Sequence, residues 1–475
     1  MIVLAAAALR DLSRLGDALP WRTMDEFADF YCAGSVLDRG ASPYTYEPLR
    51  TCEHLVNVGK GFRAKLFRND FAVAVPAPQP AYDFAPFMAL ARLPYGEARV
   101  IDALAILSAA ALSALFLVLL GIPWQLAVAA LGLSVAYVEL NTAQIVPFAL
   151  LALAICGFGL SRGRDALAGI AAALTAIEPT AGIPVVAAML CFVPRARWAV
   201  ALSAFALALI AFAVVGWHGV VLYATGVLPA HSASELRFPF QYGLTYALAY
   251  FGLSPLVAGI AGILSYFVLL GAGLYIAPRA TAALQRRELL AFIPALCAVI
   301  AGPFLHQEEL CFALPALLVF AVETRGTART LSAIALCVLS IPWILVWGMK
   351  QLFLAALFVC AVILLRLRIA GYATLAILFA VAGAIYLLEL HPPHLQVPTT
   401  SQTRAYAPNE LGQREWRDYT EARSTSDFGW FAIKLPTWAA LIATLAIAAG
   451  LKPRSRAASE PNPENWRETQ HPPTA

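Results

Sequence analysis

M-D-E-F-A-D-F-Y-C-A-G-S-V-L-D-R-G-A-S-P-Y, residues 24–44, is the stretch around which the rest of this chain makes sense. Asp25, Glu26 and Asp29 stand among aromatic residues in a sequence that is otherwise mostly soluble in hydrocarbon, so chemistry is expected here first. The spacing predicts a helix from Asp25 to Leu37. Asp25 and Asp29 would then share one face, and Phe30 and Leu37 would turn toward an apolar neighbour. Gly40 should stop the helix, and Ser42-Pro43-Tyr44 reads as a turn.

Outward from this stretch the chain becomes apolar. Of 475 residues 60% are hydrophobic and only 13% charged, and the mean hydropathy is +0.72. Soluble domains carry about a quarter charged residues, so the fold class is an all-α polytopic membrane protein with the lipid bilayer as its solvent. A net charge of +4 is too small to imply nucleic acid. Cys156, Cys191, Cys297, Cys311, Cys337 and Cys360 lie singly in apolar runs, as small hydrophobes do. Cys32 and Cys52 lie in the polar segment and can pair if that segment faces an oxidising compartment; spacing alone leaves both states open.

Residues 1–19 are too short an apolar stretch to span and lack a signal-peptide cleavage pattern. They read as a membrane-associated segment, or as the mark of a start placed too late. Residues 20–99 form a polar loop containing Lys60, Arg63, Lys65 and Arg68. Pro76, Pro78, Pro80 and Pro86 prevent a long helix there. Residues 100–389 carry apolar runs beginning with Val100–Gly121, residues 390–433 form a second polar loop, residues 434–450 a last apolar run, and residues 451–475 a disordered tail. About 12–13 transmembrane helices are expected, with short amphipathic helices in the first loop. Two runs flanking Glu178-Pro179 are half the usual length and read as short helices lining a cavity.

The connectors starting at Ser161, Pro194, Pro278, Glu323, Arg366 and Lys452 are basic and those between them are not. By the positive-inside rule the basic set and the tail are cytoplasmic, and the first loop, Asn141–Gln144, Glu178–Gly182, Trp217–Gln241, Pro303–Glu309 and His391–Lys434 are outside. Asp25, Glu26, Asp29, Glu178, Arg237, His306, Glu308 and Glu309 therefore share one side. Gly302-Pro303 should break a helix, with His306 and Glu309 on one face of the next. A helix-end carboxylate before proline is the plain reading of Glu178, and a solvated helix face that of Asp29. There is no Gly-rich phosphate loop, paired C-x-x-C, H-E-x-x-H or G-x-S-x-G element, and no cluster with metal-ligand spacing, so neither metal nor cofactor is expected. The runs are nearly free of charge, with Asp102 and Glu139 near run ends. That favours chemistry at one membrane surface over a transporter or flippase of lipid-linked glycans, and a non-catalytic scaffold is the third reading.

D-F-Y-C-A-G-S-V-L-D-R-G-A-S-P-Y from Asp29, A-Y-D-F-A-P-F-M-A-L-A-R-L-P-Y from Ala81, E-L-N-T-A-Q-I-V-P-F from Glu139, G-R-D-A-L-A-G-I-A-A-A-L-T-A-I-E-P from Gly163 and F-L-H-Q-E-E-L-C-F-A-L-P-A-L from Phe304 resemble, in this order, glycosyltransferase family 87. These are polyprenyl-phosphate-mannose-dependent mannosyltransferases of the GT-C superfamily. The resemblance implies a GT-C type bundle in a bacterial plasma membrane with its active site on the outer side. It implies inverting transfer of a sugar from a polyprenyl-phosphate donor to a glycolipid or envelope-glycan acceptor. Asp29 falls in the position of the general base and His306 near the carrier phosphate, with Asp25, Tyr44, Tyr82, Gln144, Glu178, Arg237 and Glu309 as substrate-binding candidates. The chain departs from the family at Glu178, where a lysine usually precedes the proline, and in its truncated first span. The chemistry itself needs one carboxylate to take the acceptor proton and cationic or N–H groups to meet charge growing on the phosphate. Asp29 supplies the first; His306 and Arg237, with Lys65 or Arg68, are candidates for the second.

Overall fold

The computed structural model describes residues 24, 26–56, 75–236, 238–300, 302–343, 350–372, 374, 376–378, 380, 383, 405–422 and 428–452. Asp25, Arg237, Lys65, Arg68, the N-terminal segment and the tail lie outside the described residues. Among those described the fold is helical, and the only extended pairing is an antiparallel bridge between Thr45 and Leu411.

In chain order the helices used below are α1 (Phe27–Asp38), α2 (Tyr46–Leu55), α3 (Tyr95–Leu119), α4 (Val146–Ser161), α5 (Asp165–Leu174), α6 (Pro179–Phe192), α7 (Arg197–Leu222), α8 (Leu228–Ser234), α9 (Pro255–Leu284), α10 (Leu289–Ala298), α11 (Leu314–Glu323), α12 (Gly326–Leu339), α13 (Gln413–Ala422) and α14 (Leu435–Gly450). Among the described residues four segments are long and apolar enough to cross a membrane: Tyr95–Leu119, Pro194–Ser234, Pro255–Leu284 and Phe428–Gly450. The 25 residues of α3 rise about 38 Å, more than the roughly 30 Å of hydrocarbon. Six further apolar helices of 10–17 residues, α4, α6, α10 and α12 among them, are shorter than one full crossing. Pro179, Pro255 and Leu435-Pro436 sit at helix starts, where a missing N–H costs nothing. Gly216, at φ +66, bends the segment that continues from α7 into α8.

The main core gathers α4, α5, α6, α10, α11 and α12, whose alanines and leucines are buried on most sides. By contrast α7 and α9 present Trp198, Leu202, Phe205, Leu264, Phe267 and Val268 outward, as a helix facing hydrocarbon should. At one end of the bundle Arg286 pairs with Glu288 and with Glu323 (2.5 Å) and donates to Leu120 O, while Arg287 pairs with Asp165. Helices α4, α6 and α10 run from that end to the opposite one, which carries the polar loops.

A second apolar cluster fixes the quoted stretch. Phe27, Phe30, Ala33 and Leu37 of α1 pack with Phe84, Phe87, Ala98, Ile106, Leu140 and Ile145, and Phe30 stacks on Phe87 at 4.9 Å. The helix starts at Phe27, later than the spacing suggested, with Glu26 as its N-cap. It closes at Gly40, φ +77, whose N–H donates to Leu37 O while Ala41 N–H donates to Val36 O. Cys32 and Cys52 form a disulfide, Cα–Cα 5.6 Å, tying α1 to α2. The second polar loop folds back onto the first: Tyr46 N–H donates to Glu410 O (2.7 Å), Glu47 N–H to Pro408 O (3.0 Å) and Gly412 N–H to Tyr44 O (3.0 Å).

Candidate functional site

Where α1, the turn before α4, the α5–α6 junction, α8, the 302–309 loop and α13 converge, a cavity of about 310 Å³ opens. Its wall includes Glu26, Asp29, Gln144, Glu178, His231, Glu235, His306, Glu308, Glu309 and Trp416. Asp29, Gln144, Glu178, His306 and Glu309, which the sequence scatters over most of the chain, thus meet on one chamber.

Asp29 reaches it because Phe30 and Phe27 on the same helix are anchored in the aromatic cluster; its side chain is 2% exposed. Glu26, one turn earlier, accepts from Gln144 Nε2, and its own N–H donates to Thr142 O (2.8 Å). The two halves of the wall are thereby joined. Glu178 is both a cap and a wall residue: it precedes Pro179, and its Oε1 accepts from Thr180 N–H (3.4 Å) at the start of α6. The plain reading of this residue and the functional one therefore coexist.

Tyr44 and Tyr82 stand behind the wall. Their hydroxyls donate to main-chain oxygens of Gln79 (3.1 Å) and Ala176 (2.5 Å). Asp83, which follows Tyr82, is buried, and burial, then the nearby Glu178 charge, raises its carboxyl well above 3.8.

The 302–309 loop differs from the helix expected there. His306 is not helical; its main-chain N–H donates to Glu309 Oε2 (2.7 Å), so the pair meets through backbone and not as side chains on one face. The loop is clamped by 241–245: Leu305 N–H donates to Gln241 Oε1 (2.7 Å), Tyr242 N–H to Leu305 O (2.6 Å) and Tyr242 Oη to Gln307 Oε1 (2.7 Å). Because Leu305 fixes the oxygen of the Gln241 amide, its nitrogen faces His306 Nε2 (2.7 Å) and Glu235 Oε2 (3.2 Å). Glu235 Oε2 lies 3.8 Å from the same His306 nitrogen. Burial first, then the Glu26 charge, pushes Glu308 up to about 8, and burial, followed by Glu178, raises Glu309 well above the carboxylate range.

His231 and Glu235, not among the expected site residues, complete the wall. They are four apart at the end of α8, on one face, and lie against His306; one ligand atom from each lies within 4.8 Å of the others. The H-x-x-x-E spacing was visible, but its third member is remote in sequence. Glu235 is held by Trp416 Nε1–H (2.5 Å), a residue of the second polar loop. Asp102 and Glu139 are buried inside the helical body.

The chain matches no protein-family profile, no curated protein and no solved structure.

Proposed function

We propose that this chain is an inverting glycosyltransferase of the GT-C type, resembling glycosyltransferase family 87, that moves a hexose from a polyprenyl phosphate to an acceptor hydroxyl at the outer face of a bacterial membrane. The observation that carries it is the single chamber joining Asp29, His306, Gln144, Glu178 and Glu309. At about 310 Å³ it has room for a sugar, near the lower bound of ligand pockets, and none for a polyprenyl tail. The tail lies along the apolar helices outside, each CH₂ contributing about 0.8 kcal/mol. The four long apolar helices and the six shorter ones among the described residues serve as spans within a bundle of about 12–13 crossings, the shortest being completed by loops buried in protein.

Asp29 takes the acceptor proton as the acceptor oxygen bonds to the anomeric carbon and the C1–O bond to phosphate breaks. A carboxylate on a rigid, aromatically anchored helix suits that role. The phosphate leaves toward His306. The outer location is supported by the Cys32–Cys52 bridge, since disulfides persist in oxidising compartments, and by the arginine-rich opposite end, which the positive-inside rule makes cytoplasmic. Purified protein in nanodiscs, given polyprenyl-phosphate-mannose and envelope glycolipids, should form a glycoside of inverted anomeric configuration. Absence of transfer from every polyprenyl-phosphate hexose tried, or labelling of cysteines placed at the exposed positions Thr51 and Ser161 from the same side, overturns the reading.

A further inference from the structure

The described wall of the chamber carries six carboxylates, Glu26, Asp29, Glu178, Glu235, Glu308 and Glu309, and neither lysine nor arginine. On that wall sit two imidazoles and a carboxylate whose ligand atoms lie within 4.8 Å of one another. His231 is 7% exposed, and its Nδ1 is buried with no hydrogen-bond partner among the described residues, a state that costs free energy unless something ligates the ring. Its neighbours hold a ligating geometry. The Gln241 amide, fixed by Leu305 N–H, holds the ring of His306 through Nε2, and Trp416 and Gln241 orient the Glu235 carboxylate. Such outer partners are what orient metal ligands.

We propose that His231, Glu235 and His306 form a divalent transition-metal site of the zinc type, with an open coordination position facing the chamber. Two imidazoles and one carboxylate suit Zn²⁺ and disfavour Mg²⁺ and Ca²⁺, which take oxygen ligands. A tetrahedral ion with bonds near 2.1 Å sets its ligands about 3.4 Å apart. Side-chain torsions therefore close the triad, and the ion replaces the Gln241 contact on His306 while Gln241 stays on Glu235. The open position accepts an anionic oxygen; that this oxygen belongs to the carrier phosphate rests on the transfer reading, whereas the site does not.

The test uses full-length protein without a polyhistidine tag, stripped by chelator and titrated with Zn²⁺ by calorimetry and with Co²⁺ by visible absorption. The expected result is one ion per chain, with His231→Ala and His306→Ala each weakening binding at least about tenfold and the exposed His218→Ala leaving it unchanged. Glu235→Gln, which keeps an acceptor for Trp416, serves if His231→Ala does not elute as a folded monodisperse protein. Wild type that binds no ion, or binding that none of the triad variants alters, overturns the site. Equal binding of polyprenyl phosphate by loaded and stripped protein would leave the ion site standing and remove its role against the phosphate.

Discussion

Gly34→Ala should loosen the seat of the Asp29 helix. Gly34 faces the main chain of Phe87 and Met88, and a Cβ there would overlap the Phe87 carbonyl group and lie 2.8 Å from Met88 N. Ordinary contact needs about 3.5 Å, and the Phe87 carbonyl is the closer obstacle, so α1 and the 85–90 helix would have to part by about 1 Å or more. The obstacle is backbone, which has no rotamer to give, and overpacking of this kind costs about 1–3 kcal/mol. Because Asp29 rides on α1, the same displacement reaches the 1 Å misplacement that costs roughly 10²-fold in rate. Thermal unfolding in detergent should show a Tm several degrees below wild type, with transfer falling further than stability does. Gly96→Ala is the control: no atom lies within 4 Å of its Cβ position, and it should be neutral or slightly stabilising. An unchanged Tm for Gly34→Ala would refute the packing argument, and a lowered Tm with full transfer would refute the placement of Asp29 as base.

Three further outcomes follow from the same geometry. Replacing Cys32 and Cys52 by serine opens a link across 20 positions and should lower stability by about 3 kcal/mol; reductant should mimic it in wild type and do nothing to the variant. Glu178→Gln keeps the cap acceptor but removes an anion from the chamber wall, so the Michaelis constant for the polyprenyl donor should fall several-fold, and an unchanged value returns Glu178 to capping alone. Asp83 is buried with its carboxyl raised: the unfolded chain releases its proton near 3.8 and the folded chain at higher pH, so stability is lost as pH rises from 3.8 through the folded value. Asp83→Asn should therefore raise Tm at pH 8 and leave it nearly unchanged at pH 4; an equal gain at both pH values would contradict the assignment.

Much of the architecture was legible because hydrocarbon imposes a simple code. Apolar runs became helices with starts and stops within a few residues, as at Val146–Ser161 and Leu435–Gly450, and Gly40 closed α1 where a left-handed residue was needed. The short runs around Glu178-Pro179 became α5 and α6, with their junction on the chamber. Less visible was which helices are long enough to cross alone, since buried proline and glycine breaks shorten helices without lowering hydropathy. At the site, Asp29, Glu178 and His306 stood out as ionisable groups beside apolar runs. The His231–Glu235 pair did not, because Trp198 to Gln241 reads as one apolar stretch running into a loop, and the partner that gives the pair meaning lies beyond α9 and α10. His306 and Glu309 were expected on one helix face. Instead Glu309 accepts the main-chain N–H of His306, a contact that side-chain periodicity cannot foresee. Tyr44 and Tyr82 belong to the quoted motifs, yet their hydroxyls serve main-chain carbonyls.

The central claim is that Asp29 removes the acceptor proton in a sugar transfer, and single-turnover transfer by Asp29→Asn beside wild type tests it most directly. Asparagine matches the shape of the buried carboxylate, so the helix should stay seated and polyprenyl-phosphate-mannose should bind nearly as before. Loss of a positioned base typically lowers the rate by about 10²–10⁴-fold. A loss in that range with donor binding intact is expected; near-full transfer by Asp29→Asn would contradict the assignment and shift the search for a base to Asp25, Glu26 or Glu309.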